Sequence, residues 1–387
     1  MAARAAYGKH DASARRRLAS KPRIAGYDIC KTLAMYLVVL LHSSFYTGLI
    51  PSTTFTRALM TLTVVCVPLF IAVNGALLMS RPLDVNKHVV KTARIFAFTL
   101  LWRIIHIAVF YLLGANPPSA SEFVFMLFGG NVDGYLLGHF WFLNALIALY
   151  LVFPLVKAAW DSSNRFPVYL VTGLLIAVAF FLDGGVPAVL CIIDAFNGTH
   201  YQTILTPLDE LNIFGGYGYL LVYFIGGGLV AETFLKHRES KTTLTRIAVV
   251  VLLLALLSTG VLQYFQHEAL KVGTTTKYGY QLPSTLAATL ALLWLCLVWG
   301  DSLKENGVTR RAFTWLGANT LSVYFLHMFA LVGIARLQAI GLLKFADLGA
   351  LAQFFLGVLV VFATFALLSA IGAALKRVPL VKVLFRM

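Results

Sequence analysis

Apolar stretches long enough to cross a bilayer recur along this chain from about residue 27 to about residue 373, with short polar segments between them. A helix needs about 20 apolar residues to traverse a hydrocarbon core of roughly 30 Å. Ten stretches meet that length, at about 27–48, 57–80, 89–113, 138–158, 166–183, 213–235, 245–265, 283–300, 312–335 and 350–373. None shows the ten-residue apolar–polar alternation of a membrane β-barrel strand. The pattern predicts an all-α polytopic membrane bundle over residues 27–375, flanked by a basic flexible tail at 1–26 and a basic tail at 376–387. Further spans follow the first without a small-residue cleavage site, so it reads as a resident helix and not as a leader. Two of the loops, 114–137 and 184–212, are long and hold no lysine or arginine. Each contains an apolar piece too short to span, at 123–128 and 186–193, and these are expected to be re-entrant or interfacial.

Composition agrees with the pattern. The chain is 59% hydrophobic and 12% charged, and its mean hydropathy is +0.83. Its formal net charge of +15 would suit a nucleic-acid partner in a soluble domain. Here the basic residues lie between and beside the spans, where they encode topology. With the N-terminus inside, 25 of the 31 lysines and arginines fall on the inner segments and five on the outer ones, which predicts N-in, C-in. Arg103 alone lies deep in a span. The four cysteines are far apart and read as small apolar residues. No zinc-ligand spacing, glycine-rich nucleotide loop or serine nucleophile motif stands out, so no metal is expected.

Ionisable residues inside spans are costly and point to function. Lys31 and His42 lie in the first span, eleven residues apart. Eleven residues are about three turns and 16 Å, so both side chains share one helix face. With Lys31 at a membrane surface, His42 lies near the midplane. Arg103 and His106 share a face of the third span. On a straight helix Arg103 points about 180° from Arg94, which argues against one continuous basic track. His139, Trp141 and Asn144 open the fourth span, and Tyr324 and His327 lie in the outer half of the ninth. Both groups are placed to meet a substrate from outside. Asp28 heads the first helix as a cap or a lysine partner. The outer loops carry Asp133, Asp194, His200, Asp209 and Glu210, suited to sugar hydroxyls but also common in loops.

Five segments, in order, resemble the acyltransferase-3 family of membrane acyltransferases. Residues 28–43 are similar to its first helix, with a basic residue, ten others and then histidine. Residues 67–78 resemble its second helix, with Asn74-Gly75 where the family usually has Ser-Gly. Lys91 to Arg94 resembles its Arg-x-x-Arg, residues 139–154 its Trp-Phe-Leu…Tyr-Leu…Pro helix, and residues 316–327 its late Tyr-x-x-His helix. Lysine stands at 31 and 91 where arginine is usual; the charge is kept and the bidentate fork is lost.

The resemblance implies transfer of an acyl group, most often acetyl and alternatively succinyl or another, from cytoplasmic acyl-CoA to a hydroxyl. The acceptor would be an envelope glycan or lipid-linked sugar, and the enzyme an inner- or plasma-membrane O-acetyltransferase. Lys31, Lys91 and Arg94 would bind the donor phosphates, and His42 would serve as base. Arg103, buried in its span, must pair or face water: its place there suits the thioester region, a developing oxyanion or, equally, stabilisation of the bundle. The acceptor side would be His139, Trp141, Asn144, Tyr324 and His327. Two other readings remain open. One is a secondary transporter of an envelope precursor that uses His42 and Arg103 as a proton relay. The other is a membrane sensory or assembly module without catalysis.

Overall fold

The computed structural model describes residues 23–201, 215–270, 279–345, 348–379 and 381–385. Residues 1–22 of the basic tail, and Asp209 and Glu210, lie outside the described residues. Within them the chain is all-α, with ten helices long and apolar enough to cross a membrane. The first is α1 (Ala25–Tyr46). The second joins α2 (Thr54–Met60) to α3 (Cys66–Met79) through a tighter turn at Thr61–Val65. Pro68 explains that turn, since it has no N–H for the carbonyl four residues before it. The third is α4 (Val85–Leu112), followed by the short helix α5 (Ala120–Leu127). The fourth is α6 (Trp141–Trp160), led by a turn at Gly138–Phe140.

The fifth span corrects the sequence reading. The loop expected from 184 begins only after residue 197. Helix α7 (Phe166–Leu175) runs through a π-helical stretch, Ile176–Gly185, into α8 (Val186–Asn197), and the whole is one 32-residue span. The piece at 186–193 is therefore the far half of a span and not a separate interfacial segment. Gly184-Gly185 reads as a loop in sequence for a packing reason. A Cβ on Gly184 would sit 2.1 Å from the Gln281 carbonyl oxygen, so only glycine admits that backbone. Pro187 follows at once and disrupts the regular ladder, and the helix widens to absorb it.

The remaining spans are α9 (Gly218–Lys236), α10 (Thr242–Leu270), α11 (Pro283–Ser302), α12 (Val308–Ala339) and α13 (Ala350–Leu375). The end that carries Ala25 and Leu375 is here named the basic end. Arg165 pairs with Glu232 there, Arg238 and Lys241 with Asp301, and Arg310 donates to the Arg23 carbonyl.

Lipid offers no hydrophobic drive between helices, so close backbone approach through small residues holds a membrane bundle together. Helices α3 and α9 meet this way. A Cβ on Gly75 would lie 1.8 Å from the Phe224 carbonyl oxygen, and one on Gly227 would lie 1.9 Å from that of Ala72. Helix α1 packs on α12 and on α11, where Gly26 and Gly300 meet backbone to backbone. Helix α4 lies outside this cluster, mainly against α6 and α5. An aromatic stack ties it to α12: Trp102 lies parallel to Phe325 with centroids 4.3 Å apart. Beyond α13, the turn Val381–Phe385 folds back onto this stack. Trp102 Nε1 donates to the Leu384 carbonyl at 2.9 Å, and the buried Phe385 ring lies 5.4 Å from Trp102.

Candidate active site

Helices α1, α3, α6 and α12 enclose a cavity of about 220 Å³. Lys31 lines its basic end, and Trp141 with Tyr280 lines the other. Between them stand apolar side chains such as Met35, Val38 and Phe70, with Asn74, His42, His139, Thr320 and Tyr324 among the polar groups. Lys31 and His42 project from one unbroken helix into this one space.

Lys31 Nζ lies 2.8 Å from Asp28 Oδ1. Arg23 grips the same carboxylate through both oxygens, at 2.6 and 2.8 Å. Asp28 is therefore the lysine partner, buried and paired twice. Its burial against α12 requires Gly317, where a Cβ would fall 2.9 Å from the Asp28 carboxylate oxygen.

Half-way up the cavity His42 Nδ1 lies 3.0 Å from His327 Nε2, with the two rings stacked at 5.0 Å. His327 is fully buried, and its Nδ1 lies 2.7 Å from the Tyr324 carbonyl oxygen and 3.2 Å from that of Val323. His139 follows at 5.3 Å from His327, and His106 at 5.2 Å from His139, so the half-buried His42 and three buried imidazoles form a file from α1 to α4. Tyr324 donates its hydroxyl proton to the His139 carbonyl at 2.9 Å. Both ring nitrogens of His139 are buried with no hydrogen-bond partner among the described residues, although the ring borders the cavity. Among the described residues no three His, Cys, Asp or Glu side chains form a group able to hold a metal ion.

Trp141 closes the far end. Its ring stacks on Tyr217 at 5.8 Å and on Tyr280 at 6.0 Å, and the Tyr280 hydroxyl lies 3.6 Å from Cys66 Sγ.

Besides His327, which meets the cavity through His42, four of the site residues singled out in the sequence do not line the cavity. Arg103 does not line the cavity. Its Nη1 donates to the Met126 carbonyl at 2.7 Å, and its guanidinium lies over Phe140 at 5.1 Å. Met126 belongs to the last turn of α5, where carbonyls carry partial negative charge, so a buried cation finds a natural partner there. Asn144 faces the same turn: a Cβ on Gly129 would lie 3.1 Å from Asn144 Nδ2 and 3.9 Å from Arg103 Nη2. Arg94 is exposed on α4. Lys91 touches the site only at second hand. It lies over the Tyr150 ring at 5.2 Å, and the Tyr150 hydroxyl donates to Asn74 Oδ1 at 3.0 Å. Asp194, from the loop group, accepts from Thr199 and the Tyr201 amide and so shapes its own turn.

The family model described as an acyltransferase domain matches residues 24–371, nearly the whole chain and all of the cavity. The chain belongs to the acyltransferase-3 family. No curated protein matches it. The match and the ten spans make it a membrane acyltransferase, a multi-pass protein whose substrates are an acyl donor and an acceptor. In this acyltransferase the residues that sequence reasoning passed over are Tyr280 and Tyr217. Asn74 and Tyr150 are visible as motif positions, but not as partners of each other. Tyr217 and Tyr280 carry no local signal, because aromatic residues at span ends are common in any membrane protein.

Proposed function

We propose that the protein transfers a short acyl group, acetyl in the first instance, from acyl-CoA to a hydroxyl of an envelope carbohydrate, with His42 as general base. One observation carries this reading. A cation at one end and an imidazole half-way along share a single helix face and a single cavity, as a donor with charged phosphates and a distant thioester requires. The donor would enter at the basic end, which the charge split assigns to the cytoplasm, and the acceptor would approach past Trp141.

The chemistry is balanced within the cavity. The acceptor O–H gives its proton to the His42 nitrogen that His327 does not engage. The oxygen attacks the thioester carbon, the tetrahedral oxyanion collapses, and the C–S bond breaks. The departing CoA thiolate then takes the proton back from His42. Base assistance of this kind is worth about 10²–10⁴-fold. Arg103, held by Met126 on the far side of Phe140, supports the site by anchoring α5.

The test is transfer of labelled acetyl from acetyl-CoA by purified protein. His42→Ala and His42→Gln should each abolish transfer while leaving membrane insertion and acetyl-CoA binding intact, since neither side chain acts as a base. Turnover near that of the wild type in either variant would refute the mechanism.

A further inference from the structure

The His42–His327 contact fixes where each imidazole carries its hydrogen. A backbone carbonyl oxygen can only accept. His327 Nδ1 faces two of them, those of Tyr324 at 2.7 Å and Val323 at 3.2 Å, so Nδ1 bears the N–H. A neutral imidazole has one hydrogen, so His327 Nε2 carries a lone pair and accepts. The group 3.0 Å away, His42 Nδ1, must then donate. The lone pair of His42 is left on Nε2, on a ring that lines the cavity.

We infer that His327 is the positioning residue of this acyltransferase: it holds His42 in the Nδ1–H tautomer and stabilises the imidazolium that forms when Nε2 takes the acceptor proton. The inference rests on the assignment of His42 as base and adds the group that makes it one. Other hydrolases and transferases orient a catalytic histidine with a carboxylate. Here no carboxylate touches either imidazole among the described residues, and the orienting group is itself neutral. It is held by the carbonyls of its own helix. That arrangement keeps net charge out of the bundle interior between turnovers, where an unpaired carboxylate would be costly. Tyr324 reinforces it. The Tyr324 carbonyl takes the His327 N–H and its hydroxyl clamps the His139 carbonyl, so α12 and the start of α6 are locked together at the same level. His42 and His327 lie 285 residues apart in sequence, so the pairing exists only in the folded chain.

Two substitutions separate positioning from simple packing. Gln at 327 places a carbonyl oxygen where Nε2 now accepts, and Leu of similar bulk places nothing. His327→Leu should lower kcat for acetyl transfer by about 10²–10⁴-fold, the range of a positioned base, with donor KM within about twofold of wild type. His327→Gln should recover at least tenfold of that loss. A second readout needs no turnover. In protein labelled with ¹⁵N-histidine, with His42 assigned by difference against His42→Gln, the wild type should show Nδ1 protonated and Nε2 bare. The Gln variant should keep that pattern, and the Leu variant should lose it. His42 found with its hydrogen on Nε2 in the wild type would overturn the inference, as would a Leu variant of wild-type kcat or a Gln variant no better than Leu. Should the Leu variant fail to fold, the wild-type tautomer and the Gln variant decide alone. A wild-type protein with the expected tautomer that transfers nothing from acetyl-CoA would refute the donor reading and leave the pairing in place.

Discussion

Lys31 shares Asp28 with Arg23, so the three side chains together leave one net positive charge at the basic end of the cavity. That surplus is what a phosphate would meet. Replacing Lys31 by alanine leaves a neutral Arg23–Asp28 pair, and replacing it by arginine keeps the surplus. Acetyl-CoA affinity should therefore fall about tenfold, or about 1.4 kcal/mol, in Lys31→Ala and much less in Lys31→Arg. In the wild type it should weaken as salt rises, because the lysine head is about one-quarter exposed and open to screening. Equal affinity in all three proteins, read by isothermal calorimetry, would remove Lys31 from the donor site. At this scale the sequence is most legible where a residue is out of place. Lys31, His42 and Arg103 announce themselves because charge and imidazole are costly in an apolar run. What they do is less legible. Arg103 reads as chemistry and sits on the Met126 carbonyl: the apolar piece at 123–128 marks the short helix that supplies this partner, but nothing in the sequence says which span it packs against. The outer cap of that helix is clearer. Ser119 and Glu122 form a reciprocal cap, and the Ser119 amide and hydroxyl hold the Glu122 carboxyl below the usual carboxylate range.

At the scale of helices, the bundle depends on crossings where no side chain intervenes. Gly75 and Gly227 set the α3–α9 approach, and the atoms that an added Cβ would strike are backbone carbonyls, which cannot rotate away. Gly75→Ala and Gly227→Ala should each cost about 1–3 kcal/mol through overpacking. Gly173→Ala is the control: a Cβ there meets nothing within 4 Å among the described residues, and alanine is the better helix former. Thermal unfolding in detergent should rank the first two below wild type and the third at or above it. Loss of the ranking would show that the crossing relaxes freely. The ten spans themselves are readable from apolar length alone, because every backbone polar group in lipid must be satisfied within its own helix. The fifth reads as too short because Gly184-Gly185 and Pro187 look like punctuation in sequence. Their role is set by Gln281, about a hundred residues away, which the sequence gives no means of placing there.

For the whole molecule, the orientation in the membrane follows from charge and not from the fold. If the basic end faces the cytoplasm, the α9–α10 connection is inside and the α5–α6 connection outside. With Cys30, Cys66, Cys191 and Cys296 replaced, Asp133→Cys should react with an impermeant maleimide on intact cells. Ser240→Cys should react only after the membrane is opened. Both positions are exposed. The reverse pattern would invert the protein and place the donor entrance on the wrong side for acyl-CoA.

The turn that follows α13 bears on how such a bundle is made. Spans enter the bilayer in the order of synthesis, and Trp102 on α4 is among the early arrivals. Its indole N–H is satisfied by the Leu384 carbonyl, 282 residues later in the chain. Until that segment has been translated and has folded back, the indole of Trp102 lacks its partner in a medium that offers few others, and the aromatic contact between α4 and α12 is unfinished. The last lock of the bundle is thus closed after its last span, which gives the cell a late point at which an incompletely assembled chain differs from a finished one.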